Sequence, residues 1–340
     1  MVNYSYFNKW GPIDVYDFSS GKSVKAAYRP LERAINEWNV AALIPQLKDN
    51  FWLGAVYGLV EEARRLGLRM TVLNAGGYNR ENVETQQSQF DQCMKTNFDA
   101  IILSPVSGSG FSDRIHFAME KGVPQVSLMS PFLSLPASSH VGPDFEAIGF
   151  EAGRYLAEYF QGETFHVTAM PGMEGFDGTE KLLAGFTNAL RGSSVELITT
   201  CYGEPSTAEQ LKLVNDVLRD YQDLDIIWGT APTAEMAVQL ISDAGLEGRI
   251  FVLSAWENQA TAELLQQMKI MGFIAQYPVY QARIAVNEAV KLLEGHSAMK
   301  NIRTIQTLAT PGTWPKVDQA GLAAPADWET TFSVEPAMMR

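Results

Sequence analysis

The sequence predicts an α/β protein made of two doubly wound parallel-sheet lobes joined by a hinge. Three observations predict it. Short apolar runs alternate with amphipathic segments of 10–17 residues, glycines close several of those segments, and the alternation restarts after His140–Pro143. Strands that alternate with helices pair through crossovers and form parallel sheets covered on both faces.

Residues 1–38 read as an irregular arm, with Trp10, Tyr16, Phe18 and Trp38 spread among glycine, proline and charge. The regular pattern begins with Val40–Ile44, an apolar run stopped by Pro45 and read as a buried strand. Phe51–Leu66 carries Trp52, Ala55, Val56, Leu59, Val60 and Ala63 at helical spacing and ends at Gly67. Met70–Leu73 is a strand, Gly76–Gly77 a turn, and Glu81–Asn97 a polar helix. Ala100–Leu103, helix Phe111–Lys121 and strand Gln125–Met129 complete the first block. In the second block, helices at Ala147–Phe160, Thr179–Leu190, Ala208–Tyr221 and Ala234–Ala244 alternate with strands at His166–Met170, Glu196–Thr200, Asp225–Trp228 and Ile250–Ser254. A helix at Thr261–Met268, a strand at Ile270–Ala275, a helix at Val279–Glu294 and a last strand near Arg303–Leu308 follow. The expected division is an arm (1–38), a first lobe (39–142 with 277–298) and a second lobe (143–276 with 299–335).

Composition narrows the function. Lys+Arg 26 against Asp+Glu 39 gives a net charge of −13, unsuited to a nucleic-acid backbone or an anionic membrane surface. No apolar run is long enough for a membrane span, so direct insertion is not expected. Two cysteines and four scattered histidines make neither a disulfide scaffold nor an evident metal site, and no cofactor motif occurs. Gly76–Gly77 is not part of a dinucleotide fingerprint, no nucleophile elbow occurs, and Glu61–Glu62 reads as a solvated helix face. Catalytic residues are therefore not expected, and a binding protein is favoured over an enzyme. Met1–Tyr4 lacks the features of a signal peptide, which fits either a cytosolic chain or a mature exported one.

In open α/β sheets ligands sit at the carboxyl ends of the strands, where the loops here are aromatic and amide-rich. Trp52, Tyr78, Trp256 and Tyr277 stand on them, and Asp49 adds a carboxylate. Ring faces attract an alkyl-ammonium head, and Trp N–H or Tyr O–H groups can donate to an oxygen on the same solute. Plainer roles stay open, because Asp49 equally suits a helix cap and Trp52 a core position.

Several stretches, taken in order, resemble the type I periplasmic binding proteins, and among them the trimethylamine N-oxide sensors. They are Lys48–Asp49 with Trp52, Ala75–Tyr78, Asp91–Cys93, Gly149 with Gly153–Leu156, Met170–Gly172, and Gly229–Ala231 with Ala234–Glu235. The resemblance spans about Asn39 to Ala309. It implies a periplasmic, non-enzymatic protein that closes an interlobe cleft on trimethylamine N-oxide or a related methylated ligand. Such a protein would signal to the extracytoplasmic domain of a membrane sensor histidine kinase. The implied ligand-binding set is Asp49, Trp52, Tyr78, Phe145 and Trp256, with Glu235 and Gln276. Three positions depart from the pattern: Phe145 replaces an expected Trp, Trp256 an expected Tyr, and Gln276 a usual carboxylate. The alternative is a sugar or polyol receptor of an ABC transporter, for which Asn50, Asn74, Glu235 and Gln276 supply polar groups.

Overall fold

The computed structural model describes residues 10–48, 50–130, 132 and 134–336. In chain order the elements begin with β1 (Ile13–Asp17), β2 (Val24–Tyr28), β3 (Asn39–Ile44), α1 (Asn50–Leu66), β4 (Arg69–Asn74) and α2 (Arg80–Cys93). Next are β5 (Ala100–Leu103), α3 (Ser112–Glu120), β6 (Gln125–Leu128) and β7 (Ser139–Gly142). Then follow α4 (Phe145–Tyr159), β8 (Phe165–Met170), α5 (Asp177–Leu190), β9 (Val195–Thr200), α6 (Thr207–Asp220), β10 (Ile226–Gly229) and α7 (Ala231–Asp243). The chain ends through β11 (Phe251–Ser254), α8 (Gln259–Gln266), β12 (Gly272–Ala275), α9 (Pro278–Leu293), β13 (Asn301–Thr304), β14 (Thr307–Ala309) and β15 (Ser333–Val334).

The chain divides into two compact units. Unit 1 takes the described residues of Met1–Pro143, Tyr277–Ile305 and Gln319–Arg340; unit 2 takes Asp144–Gln276 and Gln306–Asp318. The sheet of unit 1 runs β15-β4-β3-β5-β6-β7-β13-β1-β2. Its centre, from β4 to β13, is parallel, while β1, β2 and β15 pair antiparallel at its edges. The sheet of unit 2 runs β14-β12-β11-β10-β8-β9, parallel except for β14. Strands β3, β5, β6, β10 and β12 are buried almost throughout, as parallel strands covered on both faces must be.

Three expectations are corrected. The arm is not irregular, because β1 and β2 form a hairpin with Ile13 opposite Tyr28 and β1 pairs with β13. Residues 299–305 and 319–335 belong to unit 1, so the single strand expected near Arg303–Leu308 is two strands, β13 in one sheet and β14 in the other. The third correction concerns Glu61–Glu62. Glu62 is 0% exposed, and its carboxylate accepts from Trp10 Nε1 (2.8 Å), Asn287 Nδ2 (2.6 Å), Arg65 Nε (3.1 Å) and Arg283 Nη1 (3.3 Å). Glu61 is also committed, accepting from the Trp328 indole at 3.1 Å. A buried carboxylate persists only when paired and hydrogen-bonded, and each partner left unsatisfied costs about 1–3 kcal/mol.

In unit 2, α4 and α5 pack backbone to backbone. A Cβ on Gly149 would lie 1.9 Å from the Leu182 carbonyl oxygen, and one on Gly185 would lie 2.0 Å from that of Glu146. Beneath them Phe186 stacks on Trp228 with ring centroids 3.7 Å apart.

Candidate ligand-binding loops

In unit 1 the loops after β3 and β4 are tied together. The strands are parallel neighbours with Ile44 beside Asn74. Beyond that register, Ala75 N donates to Ile44 O (3.0 Å) and Gly77 N to Pro45 O (2.8 Å). Asn74 Oδ1 accepts from Gly76 N at 2.9 Å, and Asn82 Nδ2 reaches back to Ala75 O at 2.7 Å. Gly77 has φ +154°, and a Cβ there would sit 2.7 Å from Asn82 Oδ1, so the turn needs glycine. This turn delivers Tyr78, half-buried, one residue before Asn79 caps α2.

Trp52 lies in the first turn of α1, on the same stripe as Ala55, Val56, Leu59 and Val60. It is 7% exposed, packs in the core cluster of unit 1 and meets Phe51 edge-on at 5.7 Å. Its body is therefore core, and its place in the chain is the helix entered after β3. Asp49 lies outside the described residues.

In unit 2, α7 and the loops after β11 and β12 are tied together by two residues that the sequence pattern does not mark, Glu257 and Asn258. Glu257 is 3% exposed, and both its oxygens accept from Gln276 N at 3.0 Å. Asn258 caps α8 in a reciprocal box with Thr261, and its Nδ2 donates to Glu235 Oε1 at 2.6 Å. Trp256, just before them, is half-buried against the core of unit 2, with its carbonyl held by Ser254 Oγ at 2.7 Å. Glu235, Trp256 and Gln276 are thus brought to one edge of the sheet. Phe145 opens α4 directly after the cap Asp144 and packs against the same core cluster. A carboxylate three residues past a buried strand, on the short connection to α8 with no helical face to solvate it, was the available signal for Glu257.

Burial pushes the thiol of Cys93 up to about 11 and also raises that of Cys201. Neither is a poised nucleophile at neutral pH.

The arrangement offers amide, carboxylate and aromatic groups on rigid strand-end loops, which suits the holding of a small polar solute. A periplasmic binding protein domain model matches residues 40–297. The periplasmic protein TorT of Escherichia coli K12 is 30% identical over 282 residues, covering 82% of this chain and 80% of TorT. A crystal structure of an ABC transporter solute binding protein from Bradyrhizobium sp. BTAi1, with bound Bis-Tris, is 31% identical. It superposes with a TM-score of 0.85 and covers 95% of this chain and 99% of that one. The complex of the TorS sensor domain with TorT in the presence of TMAO matches at 26% identity and a TM-score of 0.76, covering 87% and 99%. The chain therefore belongs to the periplasmic binding proteins, as a ligand-binding protein of the periplasm with TorT among its relatives.

Proposed function

We propose that this protein binds trimethylamine N-oxide or a closely related methylated solute and reports its presence to the extracytoplasmic domain of a membrane sensor histidine kinase. It does so by binding alone, without turning the solute over. The observation that carries the reading is the run of ring-bearing residues that follow parallel strands, on loops or helix starts, in a chain 30% identical to TorT. Trp52 follows β3, Tyr78 follows β4, Phe145 follows β7 and Trp256 follows β11. A quaternary methylated nitrogen gains about 0.5–2 kcal/mol from each ring face it covers, more as water leaves. Its oxygen takes a hydrogen bond from an indole or phenol. Phe145 supplies a face with no donor, so the donors among the rings are Trp52, Tyr78 and Trp256. Asp49, Glu235 and Gln276 complete the proposed set, and Glu257 and Asn258 hold the last two in place.

Calorimetric titration of the whole chain with trimethylamine N-oxide, betaine, ribose and myo-inositol tests this. Saturable heat with the N-oxide and none with the sugars is the expected result, and the reverse pattern rejects the reading. Solution association with a sensor kinase's extracytoplasmic domain, responsive to the N-oxide, is expected alongside.

A second reading is a solute receptor of an ABC transporter. It is favoured by the Bradyrhizobium transporter protein, which this chain matches along nearly its whole length. Sugar heats with silent N-oxide titrations would select it.

A further inference from the structure

We propose that Trp10–Trp38 is a strap that holds α9, and that Trp10 is a positioning residue for the turn Tyr277–Gln281, through which the chain enters unit 1. The case starts from α9 itself. Tyr280, Arg283, Asn287, Lys291 and Glu294 recur every three or four residues and so share one face of the helix. Each of them meets the strap or the hairpin within it. The Trp10 ring lies parallel to Tyr280 (5.9 Å, 12°), and the Arg283 guanidinium sits 5.8 Å from the Trp10 ring. Asn287 Oδ1 accepts from Leu31 N at 2.8 Å, and the Lys291 ammonium lies 4.4 Å over the Tyr28 ring. Glu294 Oε1 accepts from Ile35 N (2.6 Å) and from the Trp38 indole (3.0 Å). A loosely packed surface arm does not present a matched partner at every turn of a helix.

Trp10 is where these contacts meet. Its ring is stacked between Tyr28 (6.1 Å, 18°) and Tyr280, and its indole N–H donates to buried Glu62 on α1 at 2.8 Å. One side chain thus joins β2, α1 and α9. Tyr280 in turn leans on Tyr277 at 6.1 Å. Tyr277 has φ +63° and ψ 59°, a left-handed conformation that side-chain-bearing residues rarely adopt. Its carbonyl accepts from both Tyr280 N and Gln281 N at 3.1 Å. Such a turn persists only where its surroundings over-determine it, and on the α9 side the Trp10–Tyr280–Tyr277 ring series does so.

Amide hydrogen exchange of the full chain, without ligand, tests the proposal independently of the solute reading. Trp10→Ala is expected to speed exchange at Tyr280 and Gln281 at least tenfold more than at Val286–Val290. Trp10→Phe, which keeps a ring in the slot but loses the donor to Glu62, is expected to restore most of the protection. Equal acceleration along all of α9 in Trp10→Ala, or none at Tyr280 and Gln281, overturns the proposal. So does a Trp10→Phe variant that exchanges as fast as Trp10→Ala.

Discussion

Trp52 and Trp256 place the same side-chain type at two depths, and depth decides what a substitution reports. Trp52 is almost wholly within the core of unit 1, so Trp52→Ala is expected to cost about 3–5 kcal/mol of stability besides any loss of binding. Trp256 is only half-buried, and Trp256→Ala is the cleaner probe. It is expected to weaken N-oxide binding at least tenfold by calorimetry while costing roughly 1–3 kcal/mol in urea unfolding. Unchanged affinity would remove Trp256 from the site. Residue-level chemistry also fixes an alkaline limit. Cys93, fully packed in unit 1, has its thiol raised to about 11, and burial of Tyr57 raises its phenol to about 12. A raised folded-state value means that the unfolded chain loses its proton first. The stabilisation is complete below pH 9 and drains away as pH climbs through 11. The Cys93 share over that window is about 2–3 kcal/mol. Cys93→Ala should flatten the fall in unfolding free energy between pH 9 and 11, and an identical slope in the variant would refute the assignment. The core position of Trp52 was legible in the sequence as one of its open readings. Glu62 was not, because its burial depends on donors from Trp10, Arg283 and Asn287, residues distant in sequence that a helical pattern cannot reveal.

Among elements, the parallel strands and their helices were legible because burial on both faces writes long apolar runs and helices write a 3.6-residue stripe. The strands β1, β2 and β7 were not, and β13 was read only as part of one longer strand with β14. They are four or five residues long, and β1 and β2 each bury a single residue among glycine and charge. Their pairing is set by partners up to nearly 300 residues away, such as Val15 beside Thr304. The glycines of α4 and α5 carry a different lesson, since a helical glycine looks like a weakness in sequence and here permits contact. Gly185→Ala forces a methyl group against the Glu146 carbonyl, so the helices must separate. Overpacking of this kind costs about 1–3 kcal/mol and occasionally more. Urea unfolding is expected to show a loss at or above the top of that range in unit 2, with the midpoint of unit 1 unmoved. A loss below about 0.5 kcal/mol would mean that the two helices do not pack at this distance. The candidate loops depend on elements in the same way. Glu235 and Gln276 could be read as loop-end polar groups, yet what fixes them is the pair Glu257 and Asn258, whose roles emerge only once β10, β11 and β12 lie side by side.

For the whole molecule, the proposed binding set draws Trp52 and Tyr78 from unit 1 and Phe145, Trp256 and Gln276 from unit 2. That split makes a thermodynamic prediction. A solute that binds only the native state adds RT ln(1 + [L]/Kd), about 2.7 kcal/mol at a hundredfold excess over Kd. For folding units of this size that corresponds to roughly 5–10 °C in Tm. If the solute needs rings from both units, unfolding either one releases it. Scanning calorimetry with trimethylamine N-oxide should then raise both transitions, or merge them into one. Trp256→Ala, a change confined to unit 2, should abolish the upward shift of unit 1 as well. A solute gripped by one unit alone gives a different trace: one transition moves, the other stays, and a substitution in the silent unit leaves the shift intact. Running the same scans with ribose and myo-inositol separates solute identity from the division of labour, since either solute class can shift one transition or two. A single moving transition under N-oxide would assign the site to that unit and strike the other unit's residues from the binding set.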